Sequence, residues 1–144
     1  MGMHSAQGTG EPQLKLDLTF PADVNRIAGI VDQVVTLVRE LYGATEDEQE
    51  VALALTEALA NAIKHGCRGD SARSVECRVL TDPSGVTVVV CDPGPGFDPG
   101  SVANPLESAG LSADHGRGLY MIRQLMDEVQ FERGGAEIRM KKRF

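Results

Sequence analysis

Leu14, Leu16 and Leu18 alternate with Lys15, Asp17 and Thr19, a period-two pattern that predicts a strand with one buried face. Beyond Pro21, Asp23 can cap a helix whose apolar positions, Ile27, Ile30, Val31, Val34, Val35 and Val38, recur near the helical period of about 3.6 residues. Gly43 ends that helix. Thr45 followed three residues later by Glu48 has the form of a capping box, and a second helix is predicted from there to about His65, with Gly66 as its stop. Val75, Cys77 and Val79 alternate with Glu76 and Arg78 as a second strand, and Asp82-Pro83-Ser84-Gly85 reads as a turn. Val86 to Cys91 is almost wholly apolar and β-branched, the pattern of a central strand. Leu119, Ile122, Leu125 and Met126 give a third helix its buried stripe, and Val129 and Phe131, then Ile138 and Met140 beyond Gly134-Gly135, form a closing hairpin. The order strand, two helices, two strands, loop, helix, two strands predicts a two-layer α/β sandwich, with helices on one face of a mixed β-sheet.

Residues 93–115 are rich in Gly, Pro, Ser and Ala, and a connection of this length in a compact domain serves as a lid or a binding loop. Residues 1–12 read as a flexible leader and 13–144 as one domain without internal repeats. A chain of 144 residues with an apolar fraction of 42% suffices for one core. No apolar run approaches the ~20 residues of a membrane span, and the N-terminus lacks the pattern of a secretory signal. The net charge of −7 argues against a broad nucleic-acid surface, and Arg139, Lys141, Lys142 and Arg143 read as a solvated strand end. Aromatic residues are few and Trp is absent, so a stacking platform for single strands is not expected. Cys67, Cys77 and Cys91 have neither metal-knuckle nor CxxC spacing and suit reduced thiols in a cytoplasm.

Candidate chemistry gathers in three segments. On the second helix, Val51, Leu55, Ala58 and Ala62 share the core face, while Glu57, Asn61 and Lys64 form a separate stripe at i, i+4 and i+7. Glu can accept a proton, Asn offers a neutral oxygen to a hard cation such as Mg²⁺, and Lys64 and His65 could face phosphate. The same stripe also suits a solvated helix flank. The second segment, Asp92-Pro93-Gly94-Pro95-Gly96-Phe97-Asp98, directly follows the most apolar strand. A carboxylate there needs a donor, and the exocyclic amino group of an adenine is one. Gly94 and Gly96 let backbone approach a flat ligand, although Pro-Gly-Pro-Gly is equally common turn chemistry. In the third segment, His115-Gly116-Arg117-Gly118-Leu119 opens a helix whose backbone N–H groups attract anions. It is not a Rossmann fingerprint, since Met121 stands where a third glycine would be, and Gly-Lys-Ser/Thr of a Walker A loop is missing.

Together these segments strongly resemble the N, G1 and G2 boxes of the GHKL (Bergerat-fold, histidine-kinase-like) ATPase superfamily: Glu57-Ala-Leu-Ala-Asn61-Ala-Ile-Lys-His65-Gly66, Asp92-x-Gly94-x-Gly96-Phe97-Asp98, and Gly116-Arg-Gly118-Leu119 continuing to Val129. The wording is most similar to bacterial anti-sigma factor serine kinases of the RsbW/SpoIIAB type, over about residues 13–143. The resemblance implies that Asn61 ligates the Mg²⁺ that bridges the phosphates of ATP and that Glu57 takes the proton of a serine hydroxyl. It further implies that Asp92 binds the adenine amino group with Gly96 at the base, and that residues 99–115 form the ATP lid. Gly116 and Gly118, with Arg117, would hold the phosphates, and Lys64, His65, Gly94, Phe97, His115 and Leu119 would complete the nucleotide-contacting set. The implied substrate is a serine of a STAS-domain anti-anti-sigma factor, exchanged against a sigma factor or another regulated protein in a partner switch, by a homodimer. One departure stands out: the family often has Gly-Thr before the last strand, and here it is Gly135-Ala136. The same boxes would also serve a nucleotide-dependent sequestering module with little or no kinase activity, or, with a decayed site, a plain interaction domain.

Overall fold

The computed structural model describes residues 10–94 and 113–144, and residues 113–117 only through their backbone. Strand β1 (Gln13–Pro21) is followed by a 3₁₀ turn (Val24–Arg26), helix α1 (Ile27–Tyr42) and helix α2 (Asp47–Asn61), which runs on into a π-helical turn, Ala62–Gly66. Then come β2 (Ser74–Asp82), β3 (Gly85–Cys91), helix α3 (Ala113–Leu125), β4 (Glu128–Glu132) and β5 (Glu137–Arg143). The strands lie in the order β1-β2-β3-β5-β4, so β3 is central.

The two layers follow from the apolar pattern. Ile30, Val34 and Val38 of α1 and Val51, Leu55 and Leu59 of α2 are buried against Val75, Cys77, Val79, Val86, Val88, Val90, Ile138 and Met140 of the sheet, forming one core. A Val or Leu side chain taken fully out of water in this way contributes about 1.5–3 kcal/mol. By strand alternation the opposite face carries Glu76, Arg78, Glu137 and Arg139. There Arg78 lies 3.6 Å from both Glu76 and Glu137, and Arg139 pairs with Glu137 at 2.9 Å. All three cysteines are free thiols and buried. Burial pushes the Cys77 thiol up to about 12.

Several expectations change. The sheet is antiparallel at each of its pairings rather than mixed. The crossover through α3 does return β4 parallel to β3, but β5 slots between them and pairs with both. Leu14 is exposed, because the β1 register shifts between Leu14 and Leu16 and the inward set becomes Leu16, Leu18 and Phe20. The capping box does not form. Arg39 of α1 grips the Glu48 carboxylate, with Nη2 to Oε1 at 2.8 Å and Nε to Oε2 at 3.2 Å, so that side chain ties α1 to α2 instead. These hydrogen bonds hold the Glu48 carboxyl below its ordinary range.

The basic end is solvated only in part: Arg143 is exposed, Lys142 is not. Lys142 is 8% exposed, donates to the carbonyl of Leu125 at 2.8 Å and pairs with Glu50 at 3.1 Å. Lys141 pairs with Asp82 at 3.1 Å, and Arg143 with Glu128. Each cation thus faces a carboxylate or a helix terminus that complements it. In the leader, residues 1–9 lie outside the described residues, and Gly10 to Pro12 are exposed ahead of β1.

Candidate functional site

The first element of the site is the end of β3. Asp92 continues the ladder by one step, its N–H donating to the carbonyl of Ala136 at 3.0 Å, which fixes its carboxylate at the mouth of the helix–sheet cleft. Its Oδ1 accepts the N–H of Gly94 at 2.8 Å. Burial raises the Asp92 carboxyl above its ordinary value, with the Gly94 N–H and the charge of Arg133 pulling the other way. A Cβ on Gly66 would lie 2.2 Å from the Asp92 Cγ, and a Cβ on Gly94 would lie 2.5 Å from the carbonyl oxygen of Gly66. Backbone from the π-turn and from the segment after β3 therefore closes directly on this carboxylate, an approach that only glycine permits.

The second element is the pair Glu57 and Asn61, one turn apart on α2. Gly118 of α3 faces both: a Cβ there would lie 2.9 Å from Glu57 Oε2 and 3.4 Å from Asn61 Nδ2. The fold thus brings the N-box residues and the G2 glycine together. Asn61 Nδ2 is buried without a hydrogen-bond partner among the described residues. A buried amide in that state is built to meet a ligand, since either its N–H donates or, turned over, its carbonyl oxygen coordinates.

Between these two elements lies a cavity of about 210 Å³. Its walls are apolar at Val90, Leu119, Phe131 and Ile138 and polar at Asn61, His65, Arg68 and Asp92. A flat apolar ring with a polar edge matches that lining.

Not every predicted residue reaches the cavity. Lys64 is exposed. It is absent from the cavity wall, as are Glu57, Gly94 and Gly118, whereas His65 and Gly66 line the cavity. The wider i→i+5 turn over Ala62–Gly66 shifts the stripe along the chain, from Lys64 to His65 and Gly66, and such turns recur at functional sites. The third segment does not open its helix. α3 is described from Ala113, so Gly116 and Gly118 lie inside it. Gly118 is in close packing against Glu57 and Asn61. Gly96, Phe97 and Asp98 lie outside the described residues, as does the expected lid up to residue 112, and for His115 and Arg117 only the helical backbone is described. Leu119 is buried and lines the cavity.

The sequence reading missed Arg68, Phe131 and the contact made by Gly66. Phe131 reads as one more core strand residue and Gly66 as a helix stop; that both line the cavity with Asp92 depends on tertiary packing that no local pattern encodes.

The cleft lies between the helix layer and the end of the central strand, with Asp92 and Asn61 both in its wall. Residues 20–142 match the histidine kinase-like ATPase domain family, and the chain belongs to it. Among curated proteins it is similar to the serine-protein kinase RsbW of Bacillus subtilis strain 168, at 28% identity over 141 residues, covering 88% of this chain and 84% of the relative. The proteins of the same name from Bacillus velezensis and Bacillus pumilus are 27% and 26% identical over the same shares. No helix among the described residues is long and apolar enough to cross a membrane.

Proposed function

We propose that this chain is an anti-sigma-factor-type protein serine kinase that binds Mg-ATP in the cavity and phosphorylates a serine of a STAS-domain antagonist. The observation that carries this reading is the Glu57–Asn61 pair set against Gly118: a proton acceptor stands one helical turn from an unpaired amide, and that amide's residue lines the same cavity as Asp92. Asp92 and Asn61 alone would serve a nucleotide-gated sequestering module; Glu57 is what favours transfer.

The adenine amino group donates to Asp92, and the phosphates extend toward Asn61 and Gly118. The serine oxygen attacks the γ-phosphorus, the bond to the β-phosphate oxygen breaks, ADP leaves, and Glu57 accepts the hydroxyl proton. The chain's contribution is mostly alignment and charge placement. Asn61 would supply a hard oxygen ligand of the kind that suits Mg²⁺, and the cation would neutralise phosphate charge when bound. No group of three His, Cys, Asp or Glu side chains gathers among the described residues, so such a cation would draw its other ligands from phosphate and water, the habit of Mg²⁺. In the cell this activity would set a partner switch, in which a cytoplasmic homodimer holds a sigma factor or another regulated protein and releases it to bind the antagonist.

The direct test incubates the protein with Mg-ATP and its candidate STAS partner, followed by mass spectrometry of the partner. Phosphoserine on that partner is the expected result, and its absence under conditions where ATP binds would remove the kinase reading and leave the sequestering module.

A further inference from the structure

Two residues other than glycine hold left-handed backbone among the described residues, and both are arginines: Arg68 at φ 54° and Arg133 at φ 52°. Both lie near Asp92. Arg68 forms part of its wall beside Gly66 and Asp92, and the charge of Arg133 acts on the Asp92 carboxylate. Left-handed backbone crowds any Cβ, and glycine is the residue that enters it freely.

The position of Arg68 sharpens the point. It sits just past the π-turn, where Cys67 N–H donates to the carbonyl of Ala62 and Gly69 N–H to that of Ile63, each at 2.8 Å. The backbone is therefore pinned on both sides, and helix ends of this kind normally place glycine at the left-handed residue. Here the strained position carries a long cation instead. Its side chain is exposed and makes neither hydrogen bond nor ion pair among the described residues. Strained backbone of this sort gathers at ligand sites, where it aims a side chain. A guanidinium is flat, weakly hydrated and stacks on ring faces, and the ring expected at Asp92 is a purine.

We propose that Arg68 is a nucleotide-contacting residue, its guanidinium covering the purine held at Asp92, at the end of the cavity where Ala136 offers only a methyl group. The inference rests on the cavity being the nucleotide site. Arg68 then supplies at the base the affinity that a hydroxyl at residue 136 would otherwise add.

Arg68→Gly isolates the side chain, because glycine keeps the left-handed backbone and relieves its strain. In the presence of Mg²⁺, the variant is expected to bind ATP and ADP five- to tenfold more weakly than the wild-type chain, by equal factors, while its Tm stays the same or rises. Arg68→Lys should recover only part of the loss, since an ammonium does not stack as a plane. Equal affinities in Arg68→Gly and wild type would overturn the proposal, as would a lowered Tm with unchanged affinity, which would assign Arg68 to the charge balance of the helix end. Weakened ATP but unaltered ADP would place the guanidinium at the γ-phosphate and overturn the contact with the base. A wild-type chain that binds neither nucleotide would instead fail the reading of the cavity itself.

Discussion

The two ends of the cavity are built from different materials. At the Asp92 end the contacts are backbone: the carbonyl of Ala136, the N–H of Gly94, and the main chain of Gly66 pressed against the carboxylate. Toward Asn61 they are side-chain tips, with the Glu57 carboxylate and the Asn61 amide reaching Gly118 across a helix–helix contact. Backbone cannot yield without moving an element, whereas a carboxylate tip swings for little energy. On the proposed kinase reading, one end is pre-formed to receive a base, and the other is left adjustable for the reacting groups. Damage to the first should appear in binding and stability, and damage to the second in turnover.

Glu57→Ala breaks this contrast most severely if it is wrong. Loss of a general base lowers rates by about 10²–10⁴-fold, and that loss is expected in phosphotransfer to the partner. ATP affinity should change by less than about threefold, since the removed carboxylate serves the acceptor rather than the nucleotide. Comparable losses in affinity and rate would show that Glu57 supports the pocket rather than the reaction.

Gly66→Ala tests the other end. The new methyl would sit 2.2 Å from Asp92 Cγ and 2.4 Å from both its carboxylate oxygens, so the Asp92 side chain must leave its place. Overpacking of this kind costs about 1–3 kcal/mol, visible as a lower urea midpoint, and ATP binding should fall by about fiftyfold or more. A variant with native stability and full ATP affinity would show that the backbone frame around Asp92 is not rigid.

The same division explains what was legible in the sequence. Glu57 and Asn61 could be paired by eye because α2 is a regular helix through both of them. Lys64 lies beyond Asn61, where the helix widens into the π-turn, and no local pattern announces that change of pitch. Asp92 was legible because a carboxylate at the end of an apolar strand asks for a partner, but its neighbour Gly66 was not, since the contact joins segments 26 residues apart. The apolar stripes located the strands and helices because burial on one face writes a period into the chain. Pairing direction leaves no such period, so the insertion of β5 between β3 and β4 stayed hidden. Glu48 was misread for a related reason: the capping box and the Arg39 ion pair compete for one carboxylate, and only the packing of α1 on α2 decides between them.

Acidity separates apo stability from binding at the Asp92 end. Burial raises the carboxyl above its ordinary value, so the folded state holds this proton more tightly than the unfolded chain does. Between the ordinary value of about 4 and the raised one, this group's contribution to stability therefore falls as pH rises. Adenine needs the carboxylate as acceptor, so ATP affinity should move the opposite way and weaken as pH drops through that window. Asp92→Asn is expected to remove both trends, to equal or exceed the wild-type urea midpoint at neutral pH, and to bind ATP about tenfold more weakly. A wild-type midpoint that, measured against Asp92→Asn, rises with pH in that window would mean that the carboxylate is paired and its burial compensated.

The smallest expected effect comes from restoring the hydroxyl at residue 136. Ala136 is 3% exposed and lines the cavity, and its own carbonyl holds Asp92 in place, so a side chain there projects beside the carboxylate that meets the base. Ala136→Thr adds a donor and acceptor at that point together with one methyl group that the cavity must accommodate. A net hydrogen bond is worth about 0.5–1.5 kcal/mol and the added methyl offsets part of it, so ATP should bind about two- to fivefold more tightly. The gain belongs to the base end alone: phosphotransfer at saturating ATP should not change, because the hydroxyl touches neither Glu57 nor the acceptor. A tighter Kd accompanied by a faster rate would show that the two ends communicate through the sheet. An unchanged Kd would show that the base is already held as well as a threonine could hold it.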